Sequence, residues 1–163
     1  MSKLHKTKND LSETVRGKIV ALVNHVLASS IDMTLQSKQA HWNVKGPSFI
    51  ALHELFDKVY EEAGDWADLI AERAAQLGGV VNGTLAHIEK ESVLPAYKLT
   101  LSSGPEHVNA LSTALAIFGK QVRAAIDAVA RLGDADTADI FTEVSSGVDK
   151  MLWFVESHAQ AKQ

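Results

Sequence analysis

Glycine and proline punctuate this chain at wide intervals, and what lies between them leaves few folds open. Gly46-Pro47, Gly78-Gly79 and Gly133 stop long stretches in which apolar residues recur at helical spacing. The first stretch follows Asp10 or Ser12 as a cap and carries Ile19, Leu22, Val23, Val26, Leu27, Ile31 and Leu35. The second runs from about Ser48 to Leu77 and ends at the glycine pair. A third opens at Pro105, a favoured first helical position, and closes at Gly133. The fourth begins near Asp136 or Thr137 and continues to about His158. The connection from Val80 to Ser103 is too long for a bare loop, so a short helix is predicted around Thr84 to Glu91. No strand pattern competes. The fold class read from this pattern is all-α, a four-helix bundle with one long crossover between its second and third long helices.

Length and composition agree. The chain has 163 residues, of which 46% are apolar, enough for the core of one domain. It has no cysteine, so disulfides and thiolate metal sites are excluded. No uninterrupted apolar run reaches the length of a membrane span. The N-terminal MSKLHKTKNDLS has no apolar signal core, and a cytoplasmic location is expected. The net charge of -4 is unhelpful for binding nucleic acid over the whole surface.

The segment from His41 to Glu72 carries the chemistry. It holds His53 with Asp57, and Asp68 with Glu72, each pair four residues apart and so on one helix face; His41 ends the preceding stretch. Imidazole with carboxylate suits a borderline first-row metal such as iron or zinc. On one straight helix the four residues fall within an arc of roughly 100°. Asp57 and Asp68, however, are about 16 Å apart along the axis, too far to share an ion. A second copy of the helix running antiparallel about a two-fold axis solves this. His53 and Asp57 of one subunit then face Asp68 and Glu72 of the other, giving two equivalent sites about 22 Å apart. The axis would pass near residues 62 and 63, where Ala63 and Gly64 are small enough for close approach. The intrasubunit alternative for a helix bundle uses Glu-x-x-His, and no Glu here has a His three residues later.

The stretches KQAHWNVKGPSF, LHELFD and DWADLIAERAAQLGG, with TADIF and DKMLWFVESH near the C-terminus, closely resemble the Dps family, the DNA-binding proteins from starved cells or miniferritins. The resemblance covers nearly the whole chain. It implies a ferritin-like bundle over residues 11–163, assembled into a hollow dodecamer that oxidises ferrous iron, typically with hydrogen peroxide, and stores the ferric product. Carried over residue by residue, the ferroxidase ligands of a two-iron centre fall on His41, His53, Asp57, Asp68 and Glu72, all present. The family also has acidic pores in the region of GDADTADIFTE, where Asp134, Asp136, Asp139 and Glu143 cluster; Asp139 and Glu143 are the pore candidates.

Each functional reading has a plainer one beside it. A single His/Asp pair on a helix is ordinarily a solvated pair. Trp42 and Trp66 flank the centre in sequence and are candidate electron donors, or else pack at the subunit interface; Trp153 is expected in the core. Lys38, one turn before His41, pairs with a site carboxylate or lies on the surface. The acidic cluster also suits a helix N-terminus. A flexible tail over residues 1–10 offers Lys3, Lys6 and Lys8 to DNA, or simply solubilises the chain. His25, His87, His107 and His158 are read as structural or solvated. A DNA-compacting protein with incidental metal binding, and a buffer for zinc or manganese, remain the alternative functions.

Overall fold

The computed structural model describes residues 4–160. Five helices follow in order: α1 Glu13–Asn43, α2 Phe49–Gln76, α3 Leu85–Glu91, α4 Gly104–Arg131 and α5 Ala135–Gln160. Extended backbone pairs once among the described residues, where Lys45 bridges Ser103. The four long helices form two antiparallel hairpins, α1 with α2 and α4 with α5. Their direction is plain from partners whose numbers rise in one helix as they fall in the other: Arg16 with Leu77, Ser30 with Ala63, Lys38 with Asp57. The hairpins pack through α1 on α4 and α2 on α5, and α3 lies against α1 in the crossover. This is the all-α bundle that the punctuation predicts.

The boundaries have local causes. Ser12, rather than Asp10, caps α1: its Oγ accepts from Val15 N at 3.3 Å. Ser103 and Glu106 form a reciprocal capping box at α4, with Pro105 in its first turn. At the end of α2, Gly78 takes φ +79°, a conformation that a side chain would strain. Gly79 needs its missing Cβ for another reason: a methyl there would meet Val20 Cγ1 at 2.4 Å.

The core takes one face from each long helix, including Val23, Leu27 and Met33 of α1, Phe56 and Ile70 of α2, Leu111 and Phe118 of α4, and Phe141 and Met151 of α5, all essentially inaccessible. At about 25 cal/mol per Å² of apolar surface, such burial is the main stabilising contribution. α1 touches α2, α3 and α4, which is why it carries apolar residues on most sides. It is long and apolar enough to cross a membrane by length and composition, but 56% of its most apolar window is buried in the bundle.

Three readings change here. Trp153, expected in the core, is 62% exposed: it sits on the outer face of α5 beside Phe154 (ring centroids 5.0 Å), while Met151 and Val155 take the inward positions. Ala63, expected at a subunit contact, is fully buried in its own bundle, where Ser30 Oγ donates to its carbonyl. Gly64, one position around the helix, has open space where a Cβ would stand. Asp134, grouped with the pore acids, is buried. It accepts from Arg73 Nη2 at 2.8 Å and caps α5 by accepting from Thr137 N at 3.0 Å, so α5 begins at Ala135.

Candidate metal centre

The antiparallel pairing of α1 and α2 lays the last turn of α1 beside the opening turns of α2. His41 and His53 meet there with their rings stacked, centroids 3.6 Å apart and planes 22° from parallel. Each histidine donates from Nδ1 to the other's backbone carbonyl, His41 to His53 O at 2.8 Å and His53 to His41 O at 2.9 Å. A carbonyl can only accept, so both Nδ1 atoms carry the proton. In the neutral ring that leaves the lone pair on Nε2, the atom a metal would take. Such outer bonds hold a ligand's tautomer and orientation.

Asp57 lies one turn beyond His53. Its carboxylate accepts a short hydrogen bond from Lys38 Nζ and stands 3.9 Å from His41 Nδ1. The bond from Lys38 is the chief cause holding the Asp57 carboxyl below the usual carboxylate range; the Lys38 charge adds to it, as do His41 and His53 when protonated, against the effect of burial. Lys38 also lies over the Tyr60 ring, 4.3 Å from its centroid. Of the two readings of Lys38, the ion pair is the one observed.

Asp68 and Glu72 do not join this group. Both are exposed, further along α2. Among the described residues no three metal-binding side chains of one chain converge on a point. His41 of α1 stands with His53 and Asp57 of α2, and Asp68 and Glu72 stand apart, further along α2.

Trp42 is 67% exposed, next to His41. Trp66 is not at a surface: it is buried against Phe118, and its indole fills the space beside Gly147. Asp139 and Glu143 are exposed on α5, and Asp136 stands 3.9 Å from Arg73. Lys6 and Lys8 are exposed, and Lys3 lies outside the described residues. From Leu4 to Leu11 the N-terminal segment lies against the body: His5 N donates to Gly78 O at 2.7 Å, and Leu4 and Leu11 pack on the core. His158 is exposed; His25 bonds Glu91 and His87 bonds the Asn24 carbonyl, tying α3 to α1. His107 is fully buried and bonded to Tyr97, a pairing across the crossover that no sequence pattern announced.

The family model described as Ferritin-like domain matches residues 20–162. A "DNA protection during starvation protein" of Agrobacterium fabrum is 44% identical over 160 residues, spanning 98% of this chain and 99% of its own length. Among solved structures, DpsC from Streptomyces coelicolor superposes with a TM-score of 0.93 at 26% identity, covering 99% of this chain and 94% of that one. Mycobacterium smegmatis Dps in a tetragonal crystal form gives 0.91 at 29%, covering 98% and 96%.

Proposed function

This chain belongs to the Dps proteins of the ferritin-like family, and from that premise we propose that it oxidises ferrous iron with hydrogen peroxide and stores the ferric product in a cage of its own copies. The observation that carries this is the reciprocal bonding of His41 and His53, which commits both Nδ1 atoms to carbonyls and keeps both Nε2 atoms free for a metal ion.

Ferrous iron is the substrate. His41, His53 and Asp57 of one subunit would hold it together with Asp68 and Glu72 of the partner subunit. Two neutral nitrogens and three carboxylates suit a borderline divalent ion, and zinc fits the same donors as a competitor. Anionic oxygen stabilises ferric over ferrous iron and so favours oxidation. Two ferrous ions supply the two electrons that reduce one peroxide to water, with two protons consumed and no hydroxyl radical released. Asp139 and Glu143, exposed near the start of α5, would give a cation entrance when repeated around an assembly axis. Consuming iron and peroxide together protects DNA, in accord with the name of the Agrobacterium fabrum relative.

Stopped-flow oxidation of ferrous iron by peroxide tests the assignment. Asp68→Ala and Glu72→Ala are expected to slow it by roughly a hundredfold or more, since loss of even an outer-shell partner of a ligand costs about 10–100-fold, with particle size unchanged. Wild-type rates in either variant would contradict the ligand set. The exposure of Lys6 and Lys8 keeps a DNA-binding role as the second reading. A salt-sensitive shift of plasmid DNA that disappears when Lys3, Lys6 and Lys8 become glutamine supports it, and no shift at low salt removes it.

A further inference from the structure

The crossover between α3 and α4 brings together two groups that iron binding does not use. Tyr97 Oη lies 2.5 Å from His107 Nδ1, with the rings 19° from parallel and their centroids 6.0 Å apart. His107 is fully buried, and its Nε2 has no hydrogen-bond partner. Burial holds the imidazole below its ordinary value of 6.5, against the opposing pull of Glu106 and of the nearby Asn43 carbonyl. Burial also pushes the Tyr97 phenol well above its own ordinary value. With the imidazole proton on Nε2, toward the Asn43 carbonyl, His107 Nδ1 is left as a free base to which the phenol donates.

A neutral phenol beside a neutral base has one chemical use that an isolated phenol lacks. Removing an electron turns the phenol into a strong acid, and its proton must then find an acceptor already at hydrogen-bond distance. His107 Nδ1 is that acceptor. The location adds to this. On the inner side, Phe56 packs near His107 (ring centroids 6.4 Å) and immediately precedes Asp57; Asn43 follows His41 by two residues. On the outer side, Tyr97 lines a cavity of about 230 Å³ with Lys98, Leu101 and Asn109. The chain's other tyrosine, Tyr60, has the Lys38 ammonium over its ring, which opposes the positive charge that oxidation creates.

We propose that Tyr97 and His107 form a proton-coupled redox pair that carries one-electron oxidising equivalents away from the metal centre to the outer cavity. The source of those equivalents rests on the iron-oxidation reading. When one ferrous ion reduces peroxide alone, the products are ferric ion, hydroxide and a hydroxyl radical. Tyr97 gives one electron to that radical, which becomes hydroxide. The Tyr97 O–H bond breaks, its proton passes to His107 Nδ1, and a neutral phenoxyl beside an imidazolium remains. An enediol reductant such as ascorbate, entering the cavity, returns one electron, and His107 returns the proton.

The test separates this pair from the metal chemistry. The assembled metal-free protein is oxidised by flash-quench with a ruthenium(III) polypyridyl complex, and radicals are trapped for electron paramagnetic resonance. A tyrosyl signal is expected in the wild type and in Tyr60→Phe, lost in Tyr97→Phe, with a solvent deuterium isotope effect on its formation. His107→Gln should slow formation roughly a hundredfold, as loss of a positioned base does. The isotope effect in unmodified protein stands even if that variant folds poorly. A signal that survives Tyr97→Phe, or none in metal-free wild type, overturns the proposal even if iron is oxidised normally. A second arm uses ferrous iron and peroxide on the wild type and Asp68→Ala. Tyrosyl radical there extends the pair's role to the metal centre; its absence there, with the flash-quench signal intact, overturns that role and leaves the iron-oxidation rates to judge the centre separately.

Discussion

At the scale of single residues, Lys38 sets the charge that the proposed metal site presents to an incoming cation. Its ammonium occupies one Asp57 oxygen, so an incoming cation meets a carboxylate already neutralised. Replacing Lys38 with Met removes a positive charge beside the site, and affinity for a redox-inert probe such as zinc should rise roughly tenfold, the effect of one partly screened unit charge at close range. Calorimetric titration at constant ionic strength checks it; unchanged or weaker binding would mean that Lys38 helps to build the site. Much of this was open to sequence reading. Helical spacing put His53 and Asp57 on one face and set Lys38 one turn before His41, while leaving two readings for the lysine. The reciprocal histidine–carbonyl bonds were not legible, because they depend on how closely α1 packs against α2. Trp153 shows the converse error. A large aromatic in an apolar run reads as core, yet the inward positions nearby belong to Met151 and Val155.

At the scale of elements, the helices were readable because glycine and proline act locally, through backbone conformation and missing donors, and need no knowledge of the fold. What holds the elements together was less so. Asp134 reads as one acid among several before a helix, but it is buried against Arg73, sixty-one positions earlier, and it joins the end of α2 to the start of α5. The pair is nearly inaccessible, with side-chain exposures of 7% and 2%. Asp134→Ala leaves a buried guanidinium without its counter-ion and removes the cap, so a loss of about 3–5 kcal/mol is expected. Asp134→Asn, which keeps the cap, should lose less. Denaturant unfolding of both variants checks this, and equal stability to wild type would show that Arg73 finds another partner.

At the scale of the whole molecule, the proposed metal centre needs a second copy of the chain. One subunit presents His41 at the end of α1 with His53 and Asp57 near the start of α2, and two exposed carboxylates further along α2, too distant to share an ion. Gly64 lies between them with open space at its Cβ position, so Gly64→Leu is tolerated by the lone subunit. On a close two-fold helix contact, the added side chain would block association. Light scattering should report smaller particles and circular dichroism an unchanged helix content; full-sized particles would place the contact elsewhere on α2. Axial distance alone suggests the two-fold arrangement, and of the two small residues expected at its axis only Gly64 is open at the surface, Ala63 being buried in its own core.

The most direct measurement is complementation between two dead variants. His53→Ala and Asp68→Ala are each expected to lose peroxide-driven iron oxidation. If every centre takes His53 from one subunit and Asp68 from its partner, a mixed dimer contains one doubly damaged centre and one intact centre. Unfolding and reassembling the two variants together should therefore restore a substantial share of the wild-type rate, while each variant reassembled alone stays inactive. No recovery in particles shown by mass spectrometry to be mixed would contradict a centre divided between subunits.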